Sequence, residues 1–541
     1  MRYKGVAALL ALAGGLVVMP AASAAPAALS GDVVVLPNLD DDSRRCQVTD
    51  EQMDALDAAV DAELAACHDG ADEVVNGRAD EKDLARVRAH GTTSGRVSVE
   101  GRAHVFVRRG GTWAPAAELS AAELRHGVDL GVEATDVRRP GWDGRVTVTL
   151  TSGGRSVSHA LRVAPLLLQH DLQRATTVFA ARPGAGPGRP EGWQWLDGSW
   201  EPHDWDSFSA DLESAGAPMR YLTGTDTWWQ DDWWQDFFEP AYATANGQTM
   251  RFAIRSANIW DVGGSRTPRP ATRAVFRDLR GPDVAVVQEL VDDGRDAIKD
   301  LRNATGNIES LPPYRGYPRG RLVYGSDPSG ALTPDPAFIG LLTSQGQQPP
   351  VVIDTSWLLV GHADETTHVV RARNARGWTI MVADPRLALS TLRSAQAGGH
   401  GDARFTGRDT STIDEVLADP KALADNEEAA RHLDDQLSVL LAETGLRADE
   451  LVRVPVLFTK PASIGLFVAA TPGIPNGLSI DAQTFAAPDP HAPVVHGEDI
   501  FKSVTERALR GVDVRWVEDI GWAHRGGGEV HCTTNAWRAV D

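Results

Sequence analysis

The feature that most constrains the fold is a change of pattern near Pro165, in a chain of 541 residues. Before Pro165, short runs that alternate apolar and polar residues are separated by glycine-rich turns, as in residues 145–150 followed by Gly153 and Gly154. Short alternating strands with such turns are typical of a β-sandwich. We therefore predict a β-sandwich over residues 33–165, in which nothing stands out as catalytic.

After Pro165, the sequence predicts an α/β domain over residues 166–541. Residues 351–353 and 379–382 are short apolar runs that are typical of buried strands. Residues 427–444 carry leucines at helical spacing, and Gly445 is a suitable helix stop. Strands that alternate with helices indicate the α/β class.

The N-terminal segment has the pattern of a signal peptide. Two basic residues precede an apolar run over 6–19, and small residues surround Ala24. This order is typical of a secretory signal, and the run is too short to span a membrane. We predict a signal peptide over 1–24 that is cleaved near Ala24, a linker over 25–32, and a secreted mature protein. No other stretch is apolar enough to predict a membrane span.

The three cysteines are Cys46, Cys67 and Cys532. Cysteines of an exported protein tend to form disulfides, and Cys46 and Cys67 are close in sequence. However, the pattern also predicts a helix over 50–66, which would be about 25 Å long. A disulfide needs Cα atoms within about 7 Å of each other. Either the helix is shorter than its pattern suggests or the pair is open, and Cys532 is left over in both cases.

The charge of the chain restricts its partners. The sequence has 53 Lys and Arg residues against 74 Asp and Glu residues, which gives a formal net charge of -21. Such a surface repels nucleic acids and anionic lipids. It attracts cations, which include basic peptides, guanidinium groups and Ca²⁺. We therefore predict no nucleic-acid partner.

Three short segments contain the residue types that carry chemistry. They are residues 231–236, residues 357–365 and residues 527–535. Each segment alone has a plain explanation. The first is compatible with a carbohydrate platform or a helix cap, the second with a surface turn or half a metal site, and the third with a buried structural thiol.

Taken in order, the three segments resemble the catalytic domain of protein-arginine deiminases, within the guanidine-modifying enzymes. The carrying patterns are Trp-x-Gln-Asp, then Gly-His-x-Asp-Glu, then Gly-Glu-Val-His-Cys-x-Thr-Asn. The resemblance covers 166–541 and extends weakly to 33–42 and 161–165. It implies a pseudo-fivefold α/β propeller preceded by an immunoglobulin-like β-sandwich. It further implies a secreted member of bacterial type that lacks the usual N-terminal domain of the family.

The resemblance also implies roles for particular residues. Asp236 and Asp364 would hold a guanidinium with paired, charge-assisted hydrogen bonds. Cys532, as a thiolate, would attack the guanidinium carbon to form a thiouronium. His362 would protonate the departing ammonia and then activate the water that releases citrulline. Trp233 stands where the family places an aromatic side chain against the stem of the substrate arginine.

A calcium site is also implied, with no organic cofactor. Oxygen ligands of this kind suit Ca²⁺, and we expect at most one ion. The alternative is that the same groups form hydrogen bonds only with the protein. The implied ligands are the side chains of Gln235, Glu239 and Glu309 and the backbone oxygens of Thr305 and Ile308.

Two positions depart from the family pattern. Phe237 and Arg255 stand where the family has acidic ligands for a neighbouring calcium site. The family also has an arginine pair that contacts the substrate backbone, whereas this chain has Asn258-Ile259-Trp260, with Arg255 and Arg266 nearby. Arg255 is therefore predicted to bind substrate.

The sequence leaves several functions open. The first is hydrolysis of the guanidinium of arginine in a peptide or protein. The others are deimination of free arginine or another small guanidine such as agmatine, amidino transfer to an acceptor amine, and a catalytically inactive module that binds calcium or peptide. The complete set of Asp236, His362, Asp364 and Cys532 argues against the inactive module.

Overall fold

The structure is a computed structural model that describes residues 27–183, 193–196, 199–224, 231–262, 265–290, 294, 300–407 and 410–540. The predicted signal peptide over 1–24 lies outside the described residues. Within the described ranges, every helix is too short or too polar to cross a bilayer.

The first part of the molecule consists of two sheets that share one hydrophobic core. The sheet orders are β1-β3-β8-β5-β6 and β2-β10-β9-β4-β7. Val87 and Leu130 of the first sheet pack with Val97 and Val148 of the second. This confirms the predicted two-layer β structure. The ten strands are β1 (Ala28–Gly31), β2 (Val34–Val35), β3 (Ala85–His90), β4 (Gly95–Glu100), β5 (Ala103–Arg109), β6 (Thr112–Pro115), β7 (Glu118–Leu119), β8 (Val128–Ala134), β9 (Arg145–Ser152) and β10 (Arg155–Val163).

The predicted linker over 25–32 is wrong in part, because β1 lies inside it. β1 pairs antiparallel with β3, with Ala28 opposite His90. It is an edge strand, and most of its residues are exposed. An edge strand whose side chains are mostly exposed does not need to alternate apolar and polar residues. The sequence pattern therefore does not indicate this strand.

The disulfide between Cys46 and Cys67 is present, with Cα atoms 5.7 Å apart. It forms because the predicted helix over 50–66 is broken into two, α1 (Asp50–Asp54) and α2 (Ala58–Ala66). Ala55 takes an extended conformation, and the Asp57 side chain caps α2 by accepting from the Ala59 N–H. The chain therefore turns back on itself, which confirms the shorter helix. Two further short helices follow in this part, α3 (Asp80–Asp83) and α4 (Ala121–His126).

The second part alternates strands with helices, as predicted for the α/β class. Its helices are α5 (Trp205–Ser214), α6 (Pro336–Thr343), α7 (Pro385–Ala397), α8 (Ile413–Ala418), α9 (Pro420–Thr444) and α10 (Ile500–Ala508). Its strands are β11 (Leu167–Leu168), β12 (Ala175–Ala181), β13 (Trp193–Leu196), β14 (Ser199–Pro202), β15 (Met219–Leu222), β16 (Phe238–Ala245), β17 (Gln248–Arg255), β18 (Ile259–Val262), β19 (Ser265–Pro268), β20 (Val284–Val287), β21 (Ile308–Leu311), β22 (Arg321–Ser326), β23 (Val351–Asp354), β24 (Thr367–Arg371), β25 (Trp378–Asp384), β26 (Val452–Pro455), β27 (Phe458–Thr459), β28 (Val468–Ala469), β29 (Leu478–Ser479), β30 (Thr484–Pro488), β31 (Val494–Val495), β32 (Glu498–Asp499), β33 (Asp513–Val517) and β34 (Thr534–Arg538).

Five small sheets in this part share one pairing pattern. In each, a central strand pairs antiparallel with one neighbour and parallel with the other. The five triplets, with the antiparallel neighbour first and the central strand in the middle, are β34-β12-β15, β16-β17-β20, β21-β22-β23, β24-β25-β26 and β29-β30-β33.

Helix α9 is longer than the predicted helix over 427–444. It begins at Pro420, because the Asp419 side chain caps its first turn by accepting from the Lys421 N–H. The first two turns contain a single leucine, Leu423, so the leucine spacing does not extend to them. The helix ends as predicted at Gly445, which takes φ 67°.

Candidate active site

The candidate catalytic residues lie at the same place in different sheets. Each of the five triplets contributes one loop to the site. It is the loop that comes just before the strand that pairs antiparallel with the central strand. The loops before these five strands supply Asp236 (β16), Gly306 (β21), Asp364 (β24), Asn476 (β29) and Cys532 (β34). Residues that are far apart in sequence are thereby brought together around one point.

Cys532 is held by its backbone between two of these loops. Its N–H donates to the Asn476 side-chain oxygen at 3.2 Å, and its carbonyl accepts from the Gln235 N–H at 3.2 Å. Its Sγ lies 3.7 Å from an oxygen of Asp364. Burial, together with the negative charge of Asp364, raises the pKa of the Cys532 thiol well above its ordinary value. Both effects favour the neutral thiol, whereas a cation in the site would favour the thiolate.

One oxygen of Asp364 is held by a hydrogen bond, and the other has no hydrogen-bond partner. Its Oδ2 accepts from His531 Nδ1 at 2.9 Å, while its Oδ1 is buried and has no hydrogen-bond partner. The loop around it is fixed by Glu365, which accepts from the N–H groups of Gly361 and His362 at 2.7 Å each. A buried carboxylate oxygen without a partner is costly, and a donor from a ligand would satisfy it.

His362 presents Nδ1 to the site. Its Nε2 lies 2.9 Å from the Leu301 carbonyl, so we assign a proton to Nε2, and Nδ1 lies 3.7 Å from Asp236 Oδ1. A Cβ on Gly306 would lie 2.6 Å from His362 Nδ1 and 2.7 Å from Asp236 Oδ1. Glycine at this position therefore lets the two side chains approach each other.

Asp236 is held by an arginine that the sequence did not indicate. Arg269 Nη1 donates to Asp236 Oδ2 at 2.8 Å, and its Nε and Nη2 donate to Asp231 at 2.8 and 2.5 Å. The guanidinium also lies over the rings of Trp260 and Phe237, at 4.9 and 5.6 Å from their centroids. Arg269 follows β19, far from Asp236 in sequence, and belongs to no motif that would have identified it.

A cavity of about 670 Å³ opens onto Cys532. Trp233 lies beside it, since a Cβ on Gly528 would lie 2.5 Å from the Trp233 ring and 2.9 Å from Cys532 Cβ. Trp233 therefore lies next to Cys532, and its contact with the stem of a substrate arginine stays a prediction. Much of the opposite wall belongs to the hairpin of β27 and β28.

The prediction that Arg255 binds substrate is wrong. Its side chain is fully buried and forms an ion pair with Asp61 of α2 at 2.6 Å. It also donates to Thr272 and Gln288 at 2.7 and 2.8 Å. All of these partners lie away from the cavity, so Arg255 joins the first part of the molecule to the second. The sequence could not reveal Asp61 as its partner, because the two residues are remote in the chain.

Four of the five predicted calcium ligands line one small cavity of about 20 Å³. These are Gln235, Glu239, Ile308 and Glu309. Thr305 does not line it, because its turn closes on itself. The Thr305 carbonyl accepts from the Ile308 N–H, and its hydroxyl donates to the Gln235 carbonyl at 2.7 Å.

The donors around the small cavity fit a calcium ion. Burial raises the pKa of Glu239 and of Glu309 well above the ordinary range, and Asp171, which the sequence did not indicate, adds to both shifts. One oxygen of Glu309 is buried without a hydrogen-bond partner. Arg538 opposes both shifts, but it is itself bound to Asp171 at 3.0 Å. A divalent cation would relieve this excess of negative charge.

A second group of buried acids lies in the first part of the molecule and was missed from the sequence. One oxygen each of Asp40, Asp42 and Asp83 lie within 4.8 Å of one another. Burial raises the pKa of Asp83 to about 8 and that of Asp42 to about 6. The signal that could have indicated the group is the run of three consecutive acids at 40–42. We call it the acidic cluster, and it consists of Asn38, Asp40, Asp42, Asp69, Asp80, Asp83 and Glu133.

Comparison with known proteins agrees with the geometry. Residues 156–541 match the family described as Protein-arginine deiminase (PAD). The chain is similar to mouse protein-arginine deiminase type-4, with 29% identity over 327 residues, which is 58% of this chain and 46% of the relative. It is also similar to human types 1 and 3, each 28% identical over 49% of this chain and 41% of the relative. The chain thus aligns with just under half the length of these relatives.

Cys532 beside Asp364, and His362 beside Asp236, define a class of site suited to a guanidinium. The family match covers more than half of the chain. The chain therefore belongs to the protein-arginine deiminase family.

Proposed function

We propose that the protein hydrolyses the guanidinium of peptidyl arginine to the ureido group of citrulline and ammonia. One observation carries the proposal. Asp364 places one oxygen 3.7 Å from Cys532 Sγ and keeps its other oxygen buried without a partner. A carboxylate poised in this way beside a thiol suits a planar, cationic ligand whose central carbon faces the sulfur.

Two carboxylates would grip the substrate guanidinium. Asp364 would accept from one edge through its free Oδ1, and Asp236 would accept from another nitrogen. Asp236 stays in place because Arg269 holds its Oδ2 at 2.8 Å. Trp233 would lie along the apolar stem of the arginine. Charge-assisted hydrogen bonds of this kind are short, directional and strong.

The guanidinium would also activate the nucleophile. Burial and Asp364 raise the pKa of the Cys532 thiol, and a bound cation opposes that shift because it favours the thiolate. The thiol would give its proton to His362 Nδ1, and the thiolate would then attack the guanidinium carbon and form a C–S bond. His362, protonated on Nδ1, would give its proton to one amino nitrogen, the C–N bond would break, and ammonia would leave. A thiouronium on Cys532 would remain.

Hydrolysis of the thiouronium would complete the reaction. Neutral His362 would take a proton from water at Nδ1 as the water oxygen attacks the same carbon. Collapse of the adduct would break the C–S bond, release the ureido product and regenerate the thiolate. The balance is one water consumed and one ammonia released, with no oxidant or second substrate.

We also propose that calcium stabilises the site through Gln235, Glu239 and Glu309, with Asp171 close by. When bound, the ion would supply positive charge against these buried carboxylates. The link to the nucleophile is direct, because the Gln235 N–H donates to the Cys532 carbonyl at 3.2 Å. A calcium ion that orders Gln235 in this small cavity would therefore also fix the backbone of Cys532.

The acidic cluster suits the same ion. Asp40 Oδ1, Asp42 Oδ2 and Asp83 Oδ2 are buried and have no hydrogen-bond partner. The Asp283 N–H, from the turn before β20, donates to the other oxygen of Asp40 at 2.9 Å. An ion bound there would hold the first part of the molecule against the second. The earlier expectation of one ion at most is thus replaced by a proposal of at least two positions.

The finer description of the fold is also a proposal. A pseudo-fivefold propeller is supported by the five triplets, because all five have the same pairing pattern. Each also contributes the loop before its antiparallel strand to the same site. Two sheets with a common core support an immunoglobulin-like sandwich before it. The disulfide between Cys46 and Cys67 supports an exported, mature protein, since disulfides persist mainly in oxidising compartments.

The test compares substrates and metal. The protein is incubated with an arginine peptide, free arginine and agmatine, each in calcium and in chelator, and ureido product and ammonia are measured. We expect the peptide to be turned over in calcium, with kcat/KM higher than for either small guanidine. No product from any substrate, with Cys532 reduced, would reject the proposed activity. Equal rates in chelator would remove the calcium proposal.

A further inference from the structure

A second cavity lies beside the one that opens onto Cys532. It has a volume of about 190 Å³. Its floor is formed by the buried rings of Phe405 and Phe458 with Leu457, and Asp419 and Lys421 lie at its exposed rim. Ala422, in the first turn of α9, lines one side. We call it the side cavity.

The side cavity and the catalytic cavity share one wall. Phe458, Thr459, Ala470 and His524 line both. The wall is the hairpin of β27 and β28, closed by the Ala470 N–H, which donates to the Leu457 carbonyl at 2.7 Å. Ala470 is exposed, so the wall reaches the surface there. A bound chain that crosses this hairpin reaches both cavities.

Most charged groups of the side cavity are already paired. Asp419 accepts from the Lys421 N–H at 2.8 Å, and the Lys421 ammonium is bound to Asp425. His491 is bound to Glu518 at 2.9 Å. Apart from Asp419 at the exposed rim, the described charged groups of the lining are bound to one another or to neighbouring residues, and the floor is apolar. The cavity therefore suits an apolar side chain.

We propose that the side cavity binds an apolar side chain of the substrate, one or two positions from the target arginine. This deepens the proposed function and rests on it. An extended chain advances about 3.3 Å per residue, and a wall one hairpin thick separates the two cavities, so a near neighbour of the arginine fits the side cavity. The preferred substrate class is thus an arginine peptide with an adjacent aliphatic or aromatic residue.

The test uses two peptides that differ only in the residue beside arginine, which is leucine in one and serine in the other. The quantity measured is the ratio of their kcat/KM values with the full chain in calcium. We expect a ratio of about ten, since partial burial of a leucine side chain is worth roughly one power of ten in binding. Ala422→Phe, which fills the side cavity, should bring the ratio close to one.

Ala424→Phe is the matched control. Ala424 lies in the same turn of α9, is exposed, and lines neither cavity. This variant should keep the wild-type ratio. A wild-type ratio near one, or a ratio that survives in Ala422→Phe, would overturn the proposal.

A binding measurement separates failure of the side cavity from failure of the proposed activity. Cys532→Ser protein is titrated with the same two peptides by calorimetry, in calcium. We expect the leucine peptide to bind about ten times more tightly than the serine peptide, and the difference to vanish in the double variant with Ala422→Phe. Equal affinities would reject the side cavity even if turnover were absent. A clear difference without turnover would retain it and reject only the chemistry.

Discussion

The active site and the acidic cluster both bury several carboxylates, but they compensate the negative charge differently. At the active site each carboxylate has a partner that fixes one oxygen, Arg269 for Asp236 at 2.8 Å and His531 for Asp364 at 2.9 Å. In the acidic cluster the carboxylates mainly face one another, and burial raises the pKa of Asp83 to about 8.

The difference indicates two kinds of cation. Carboxylates that are oriented one at a time around a cavity suit a flat guanidinium, which is recognised by direction. Carboxylates that converge on one point suit a compact ion that takes many oxygen ligands. Both regions attract positive charge, but of the two only the first has a cavity beside a cysteine, Cys532.

The largest effect is expected for Asp364→Asn. This change keeps the shape but removes the charge that faces the guanidinium, and loss of one partner in a buried charge pair costs about 3–5 kcal/mol. We expect kcat/KM for an arginine peptide to fall about a thousandfold. Asp129→Asn, on the exposed surface of β8, is the control and should be close to wild type. A fall of less than tenfold would contradict the role of Asp364.

Arg269 tests whether orientation of Asp236 matters. Arg269→Gln removes the hydrogen bonds to Asp236 and Asp231, and bonds to charged groups contribute about 1.5–3 kcal/mol. We expect kcat/KM to fall about 10–100-fold. Arg269→Lys keeps the charge but lacks the planar fork, so it should recover only part of the loss. If the lysine variant were as active as wild type, charge alone would explain the contact.

Stability against pH tests a third group of buried acids, next to the catalytic cavity. Burial raises the pKa of Glu529 to about 8 and that of Glu365 to about 7. The folded state thus keeps protons that the unfolded state loses above pH about 4.5, so stability falls as pH rises from about 4.5 to about 8.

Glu529→Gln, which imitates the protonated acid, should reduce this slope. Urea unfolding at pH 5.5 and pH 8.5 should show that wild type loses on the order of 2 kcal/mol more than the variant. Parallel losses in both proteins would show that Glu529 is ionised in the folded state at the lower pH.

The smallest effect is expected in the acidic cluster. Asp83→Asn keeps one side-chain oxygen but removes the negative charge of one of the three converging carboxyl groups, and we expect about tenfold weaker calcium binding there. The rise in Tm caused by calcium should then shrink by about 2–4 °C, and kcat at saturating calcium should change little. Asp143→Asn, an exposed acid of the same part, is the control. An unchanged calcium response in Asp83→Asn would mean that the acidic cluster binds no ion.

The sequence predicted the local parts of this molecule best. Helix α9 and its stop at Gly445 follow from leucine spacing and the freedom of glycine, which are properties of neighbouring residues. The resemblance to the family also grouped Gln235, Glu239 and Glu309, and these three residues line one small cavity.

Pairings between remote residues could not be predicted. In the sequence, nothing near Arg255 indicates an ion-pair partner. In the structure, Arg255 forms an ion pair with Asp61 at 2.6 Å. Arg269 and Asp236 meet only because β19 returns to the loop before β16. The side cavity depends in the same way on a hairpin and a helix that belong to different segments. These contacts are set by tertiary packing, and no short pattern encodes them.

The central claim is that Cys532 forms a covalent bond to the guanidinium carbon. The most direct measurement is rapid acid quench of the protein with an arginine peptide in calcium, followed by mass spectrometry of the peptide fragment that contains Cys532. We predict a substrate adduct on Cys532 that forms with loss of ammonia and decays as ureido product appears, and neither species with Cys532→Ser. Ureido product formed by Cys532→Ser at the wild-type rate, or an adduct on another residue, would contradict the account.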